Sequence, residues 1–570
     1  MERYIIWLST VAVIPASIIV AKGVNPSIGF ANGFSCDAWY FAGIYEDYFG
    51  LYRNWIHSYQ FYRYPALLPW IYLAPQLPSV VFHNIKFWVY LLGSAGCFAV
   101  ATIVLFEPFF GALVAILFSC STLVLGALST DFPTGAGVMW ICAVIAATAY
   151  GASRSNQIRW GIAVGVLYAC CVFTHVPTIM FVYPVPLLFF ATSNYPNSIL
   201  SFLRFNLCGL AGFALATALL CLYSIALGAP PVFFWSEFIT ATHSFDPSFY
   251  PRPTDNWAWF QHDTNLPLFL IAATASVLAM ARIAIWRRSL WRLAIPMIVY
   301  LLVAGLCFGW EFTGHVILQD NSFAPWMYPT AFLAIGAALA LGQAPREPIG
   351  FLVCAIAAVV LSIAAMRVDL DLSAAARYAV AAVATVACVF AFWRPGATAA
   401  AAALTAVIFV NYPVGFGSTP WTVERLAHKR AYDDTQRAHD FIEANANVAG
   451  QQPLPFGSWA FQRSFGLWTT AAADVGHVGS PSYAAVAVPY SFLYCTNFAA
   501  KFPSTSDLKA AVASGWIKAG ERLFIIAKGS NLAEQAKAPL ASLGLVGTEV
   551  VETKINDSVS VSAIDLSAAP

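Results

Sequence analysis

The feature that most constrains this chain is a recurrence of uninterrupted apolar runs. A run near 20 residues matches the hydrocarbon thickness of a bilayer, and a soluble core has little use for so many of them. Thirteen are read from the sequence, at residues 4–21, 87–106, 109–128, 133–150, 158–173, 176–191, 205–227, 266–280, 293–309, 324–341, 349–365, 378–392 and 397–410. The first lacks a small-residue cleavage site and is expected to stay in place as a signal anchor. Charged side chains make up only 10% of the 570 residues and gather between the runs, which excludes water as the main solvent. Net charge is +1 and no lysine-rich tract is present, so nothing in the charge pattern recruits nucleic acid.

Orientation follows from the preference of Lys and Arg for the cytoplasmic side. With the N-terminus inside, Arg3, Arg154, Arg159, Arg204, Arg282, Arg287, Arg288, Arg292, Arg346 and Arg394 all fall inside, while Asp37, Glu46, Asp47, Asp131, Glu237, Asp246, Glu311 and Asp320 fall outside. Only Thr174 and His175 separate the runs at 158–173 and 176–191. Fusing these two would export the arginine cluster at 282–292, so two crossings are expected. An odd count of crossings places the tail outside. Residues 414–570 hold 25 of the 57 Asp, Glu, Lys and Arg residues and contain no long apolar run. The expected fold class is therefore an all-α polytopic membrane domain at 1–413, with about 13 transmembrane helices, followed by a small α/β extracytoplasmic domain at 414–570. In that tail a helical pattern covers 423–444, an apolar run lies at 523–527, a helix-like stretch at 531–538, and a strand-like stretch at 550–564 is split by Asn556 and Asp557.

Two outer segments are long, at 25–86 and 229–265. In the first, Phe41, Tyr45, Tyr48, Tyr52, Trp55 and Tyr59 recur every three or four residues, the spacing of one helix face. Glu46, Asp47, Arg53 and Asn54 occupy the other faces, and such a helix is expected in the headgroup layer. The second mixes proline, aromatic and polar residues, among them Glu237, His243, Asp246, Arg252, Asp255, His262 and Asp263, and has the character of a lid.

Asp37 stands soon after the first run, Tyr40 follows it, Arg63 precedes Tyr64 and Pro65, and Asp131 lies on the short outer turn before 133–150. In this order they resemble the outer-loop pattern of the GT-C superfamily, integral membrane glycosyltransferases such as aminoarabinose and mannosyl transferases that use polyprenyl-phosphate sugars. The thirteen-span layout with an outward C-terminal domain is similar over the whole chain. The sequence departs from the common adjacent Asp-Glu pair, since Ala38 follows Asp37, and a second carboxylate would come from Glu46, Asp47 or elsewhere. The tail holds no Trp-Trp-Asp motif of the oligosaccharyltransferase type.

The resemblance implies a polyprenyl-phosphate-linked sugar donor, a glycan, lipid or protein acceptor, a bacterial inner membrane and inversion at the anomeric carbon. Asp37, with Asp131, would be catalytic, because a partly desolvated carboxylate has the basicity to take a hydroxyl proton. Arg63, then Arg252 and His262, would bind phosphate through paired hydrogen bonds. Tyr40, Glu46, Asp47, His57, His243 and Asp263 are candidate substrate contacts. Asp131 could equally cap the helix that opens at Pro133, and His175 is expected to be structural. The outer His and Asp residues have no recognised metal-ligand spacing, so no metal is assigned, although a divalent Mg or Mn stays open. A transporter or flippase of lipid-linked glycans, a polysaccharide ligase or polymerase, and a non-enzymatic envelope protein are the competing readings. A transporter would put charges at mid-membrane, where this chain has almost none.

Overall fold

The computed structural model describes residues 41, 44, 45, 48, 49, 59–77, 79–106, 108–129, 133–179, 183–192, 199–243, 266–286, 291–314, 324–341, 437, 438, 440–442, 444, 445, 485–487, 509, 512 and 517–570. The expected crossings at 4–21, 349–365, 378–392 and 397–410 lie outside them. The chain is mostly helical, with a small sheet near the C-terminus. Short turns α1 (Tyr64–Leu67) and α2 (Trp70–Leu73) lead into α3 (Ser79–Leu105), α4 (Pro108–Cys120), α5 (Thr122–Ser129), α6 (Thr134–Ala152) and α7 (Gln157–Thr174). Then come α8 (Ile199–Ala226), α9 (Trp235–His243), α10 (Leu266–Trp286), α11 (Trp291–Gly314) and α12 (Ala324–Leu341). Among the described residues five helices are long and apolar enough to cross a bilayer, over Val81–Leu105, Thr134–Ala152, Gln157–Thr174, Ile199–Ala226 and Trp291–Gly309.

Three elements differ from the sequence reading. The run expected at 109–128 is two helices, α4 and α5, interrupted at Ser121. Helix α3 begins at Ser79 rather than at 87, so His83 and Lys86 lie inside it and are buried. The Lys86 ammonium sits 4.6 Å from the centroid of the Tyr45 ring and 6.0 Å from that of Phe82, and an aromatic face offsets part of the cost of burying a cation. Residues 41, 44, 45, 48 and 49 are helical, as their spacing predicts, but Phe41, Ile44, Tyr45 and Tyr48 are buried in the main core instead of facing lipid headgroups. The Tyr48 hydroxyl donates to the Phe61 carbonyl at 3.0 Å. Aromatic rings with a polar tip satisfy a protein interior as well as a membrane interface, and periodicity alone does not distinguish the two.

Glycines set the packing of α7 on α8. Gly161 lies against Phe205 and Cys208, and Gly165 against Gly209 and Phe213, so numbers rise together along both helices and the two run parallel. Consecutive parallel helices require the chain to return between them. That return begins in a short 3-10 turn, Val176–Thr178, and reaches a second, Val185–Ala191. Phe189 of the second packs on Phe202 and Phe205 in the first turns of α8, with ring centroids 5.8 and 5.3 Å apart. Where the expected run at 176–191 is described, it holds these two 3-10 turns and the α-helical Ile179, whose carbonyl accepts from the Tyr183 amide at 3.0 Å, and not one continuous helix. Pro177, Pro184 and Pro186 remove the amide donors an α-helix needs, and a 3-10 segment compensates in reach by rising about 2.0 Å per residue. The second turn packs against α6 and α11, and its Val185, Leu188 and Phe189 are buried.

The C-terminal sheet has the order β1-β2-β4-β3, from β1 (Ala485–Ala487), β2 (Arg522–Lys528), β3 (Leu545–Lys554) and β4 (Val559–Ala568). β1 lies parallel to β2, and the other pairs are antiparallel. Asn556 makes the turn between β3 and β4: its Oδ1 accepts from the amides of Ser558 and Val559 at 3.0 and 2.9 Å. The apolar run 523–527 is β2, covered on one face by α13 (Leu532–Ala541) through Leu532, Ala536 and Leu540. On the other face Phe524 meets Phe441, edge to face. Burial on both faces explains why β2 is a continuous apolar run instead of an alternating one.

Candidate functional site at the upper end of the bundle

Each element that bounds the site ends where its sequence forces it to end. Helix α7 stops at Thr174, with His175 extended at φ −162° and ψ 112°, and Pro177 lacks the amide proton that an α-helical continuation would use. Helix α8 stops at Gly228, whose φ of +76° permits the Ala229 amide to donate to the Ser224 carbonyl at 2.9 Å, a closure that turns the chain back across the bundle toward α9. Arg63 is the cap residue of α1, and its carbonyl accepts from Ala66 and Leu67. Pro65 sits in the first turn, where a missing amide proton costs nothing.

Polar contacts then join the two outer segments at this upper end. The Tyr64 hydroxyl donates to Ser224 Oγ at 3.0 Å, and Ser224 Oγ donates to the Pro230 carbonyl at 2.8 Å. Trp140 of α6 donates its indole proton to the Pro65 carbonyl at 3.2 Å. Tyr64 also packs edge-on against Tyr223, and its ring centroid is 5.0 Å from that of Phe233.

At the centre is a buried trio. Glu237 Oε1 receives Arg63 Nη2 at 3.0 Å and His175 Nδ1 at 2.6 Å. Arg63 is 2% exposed and Glu237 6%, so both charges are removed from water, which a pair tolerates only with good geometry and further hydrogen bonds. Burial pushes the Glu237 carboxyl up, but the Arg63 guanidinium, the His175 contact and the Val176 amide overcome it and hold the group below its ordinary range. Burial pushes His175 down, and Arg63 adds to that; the Glu237 carboxylate opposes both without reversing them. At neutral pH the trio is accordingly Arg⁺, Glu⁻ and a neutral imidazole that donates from Nδ1. The Phe41 ring lies 5.8 Å from the guanidinium carbon, and the His175 ring lies 5.7 Å from that of Trp326. Trp326 occupies the space beside Gly137, where any side chain would overlap it. Chemically, the arrangement fixes a guanidinium at the junction of the two outer segments, with its charge balanced by a carboxylate.

Of the residues expected to be catalytic, to bind phosphate or to contact substrate, Arg63 is the one whose side chain is described. Asp37, Tyr40, Glu46, Asp47, His57, Asp131, Arg252, His262 and Asp263 lie outside the described residues, and His243 is described only as the last residue of α9. The cap position of α6 is Pro133, which makes no side-chain cap hydrogen bond. Glu237 was read only as one of the polar residues of the second outer segment and His175 as structural, and neither was given a part in the site. The available signals were a lone acid within the aromatic stretch from Phe233 to Phe238, and a histidine on the two-residue gap between two apolar runs. Among the described residues no group of three or more His, Cys, Asp or Glu is placed to hold a metal.

Among solved structures the chain is similar to the Archaeoglobus fulgidus oligosaccharyltransferase in its apo form, at 12% identity and a TM-score of 0.40, covering 93% of this chain and 70% of that one. It is also similar to that protein in complex with Zn and sulfate, at 12% identity and a TM-score of 0.35, covering 76% of this chain and 56% of that one. The chain thus spans little more than half the length of the latter structure. No protein-family model and no curated protein sequence matches it.

Proposed function

We propose that this chain is an integral membrane glycosyltransferase that moves a sugar from a polyprenyl-phosphate donor to a hydroxyl of an envelope acceptor. The observation that supports this reading best is Arg63. The basic residue of the outer-loop pattern is buried at the upper end of an apolar helix bundle and joined to a carboxylate of the second outer segment.

In this mechanism the acceptor oxygen attacks the anomeric carbon, Asp37 takes its proton, and the bond from that carbon to the phosphate oxygen breaks with both electrons leaving on phosphate. Direct attack inverts the anomeric centre. The charge that grows on the leaving phosphate is stabilised by Arg63, a guanidinium being able to donate two parallel hydrogen bonds to it. Arg252 and His262 add donors from the second outer segment, and Asp131 supplies the second acid. Tyr40, Glu46, Asp47, His57, His243 and Asp263 contact the sugar or acceptor. Because Arg63 is buried and held by Glu237 in this conformation, donor binding must open the packing above it and exchange part of its carboxylate contact for phosphate oxygens.

Purified protein in detergent, incubated with a panel of polyprenyl-phosphate sugars, is expected to transfer or hydrolyse at least one of them. Asp37→Asn is expected to abolish turnover while leaving the folded fraction nearly unchanged. Absence of turnover with every donor, or an unimpaired Asn variant, refutes the assignment.

A further inference from the structure

Helix α9 is amphipathic in the opposite sense to a helix on a soluble protein surface. Trp235, Phe238 and Ile239 follow the spacing i, i+3, i+4 of one face, and that face is turned outward: Trp235 is 56% exposed, Phe238 47% and Ile239 39%. The charge, Glu237, points inward to Arg63 and His175. Trp235 and Phe238 stack on each other, with centroids 5.7 Å apart and planes within 19°, so the outward patch is one contiguous aromatic surface and not scattered rings. Water is a poor solvent for such a surface.

The occupant of that surface is indicated by what precedes it in the chain. Helix α8 exposes Leu215, Leu219, Leu222 and Ile225, a face that lies against acyl chains in a helix long and apolar enough to cross a bilayer. From Ile225 the exposed apolar character continues through Val232, 48% exposed, into Trp235. The transition is marked by an exposed hydrogen bond between the hydroxyls of Tyr72 and Tyr223 at 2.9 Å. Tyrosine and tryptophan concentrate at the boundary between acyl chains and headgroups, and short helices with an apolar outer face lie in that plane.

We infer that α9 is seated in the headgroup layer of the bilayer, its Trp235 and Phe238 face inserted among phospholipids and its Glu237 face held by Arg63. The helix is clamped between lipid on one side and a buried ion pair on the other. Its depth sets the depth of the Arg63 guanidinium, within about one helix diameter, roughly 10 Å, of the lipid surface. The inference rests on the membrane character of the bundle and not on the proposed sugar transfer.

The test is photo-crosslinking in proteoliposomes of phosphatidylethanolamine and phosphatidylglycerol, with p-benzoylphenylalanine installed in place of Phe238 in the full chain. Irradiation is expected to give a phospholipid adduct on the peptide carrying position 238, seen by mass spectrometry. The same photoprobe in place of Ile225 is expected to give an adduct as well, which verifies folding, insertion and photochemistry. The photoprobe in place of exposed Val550 in β3 is expected to give none. A lipid adduct at 225 with none at 238, or a crosslink from 238 to another part of the chain, overturns the inference.

Discussion

Replacing Glu237 by glutamine removes the one carboxylate that two buried partners share, while keeping the length and outline of the side chain. The amide oxygen of glutamine still accepts from one partner, so what is lost is chiefly charge compensation for a guanidinium that is 2% exposed. Breaking a buried pair by removal of one member costs about 3 to 5 kcal/mol, and the retained hydrogen bond puts Glu237→Gln near the lower end, about 3 kcal/mol. Arg63→Met fills similar volume without charge. In the double variant no buried charge is left over, so the combined loss should fall short of the sum by about 2 kcal/mol. Unfolding of the full chain in mixed micelles, followed as the denaturing detergent is titrated, measures all four corners of the cycle. A cost below about 1 kcal/mol for Glu237→Gln, or strict additivity in the double variant, means that the ion pair does not hold the two outer segments together.

The same trio sets an acid limit. His175 has a folded pKa below its ordinary 6.5, so protonation disfavours the folded state, and stability is expected to fall as pH drops below about 6.5; His175→Phe should flatten this limb in a pH series of unfolding midpoints. Glu237 has a folded pKa below its ordinary 4.5, so its contribution is complete above that value and disappears as pH falls through the folded pKa, a lower limb that Glu237→Gln should remove. Any side chain at Gly165 overlaps the Gly209 carbonyl, and Gly165→Leu is expected to abolish the monodisperse folded fraction in size-exclusion chromatography, with Gly305→Leu, which meets open space, behaving as wild type. In the C-terminal sheet, Glu552 accepts from the amides of Asn531 and Leu532 at 2.8 and 2.7 Å and so caps α13; Glu552→Ala should cost about 1 kcal/mol and appear as faster amide exchange at those two residues.

Crossings defined by long apolar stretches were legible because burial in lipid demands apolarity all round, and α6, α7, α8, α11 and α12 fall within a few residues of where hydropathy places them. Their ends were less legible. Lys86 and His83 look like loop residues to a hydropathy scale, yet they lie within α3, where the Lys86 ammonium meets the Tyr45 ring of a separate segment and both residues lie against Phe82 of their own helix. The β3–β4 hairpin was readable from Asn556 and Asp557, since an Asx turn is a local device. Arg63 was singled out by resemblance to a family, but its partners were not, because a pairing between residues 63, 175 and 237 depends on how three separate helix ends converge. Nothing in local spacing encodes that convergence.

The strand of chain that returns from the end of α7 to the start of α8 has a consequence for topology. A census of long apolar helices passes over this return, and the parity on which the side of every later segment depends, the C-terminal sheet included, turns on whether it is counted. Three prolines, at 177, 184 and 186, are enough to keep it from being one long helix. The mapping of sidedness in this protein therefore needs reporters on both flanks of that passage, at Arg154 and at Gly228, before any tag at the far end is interpreted.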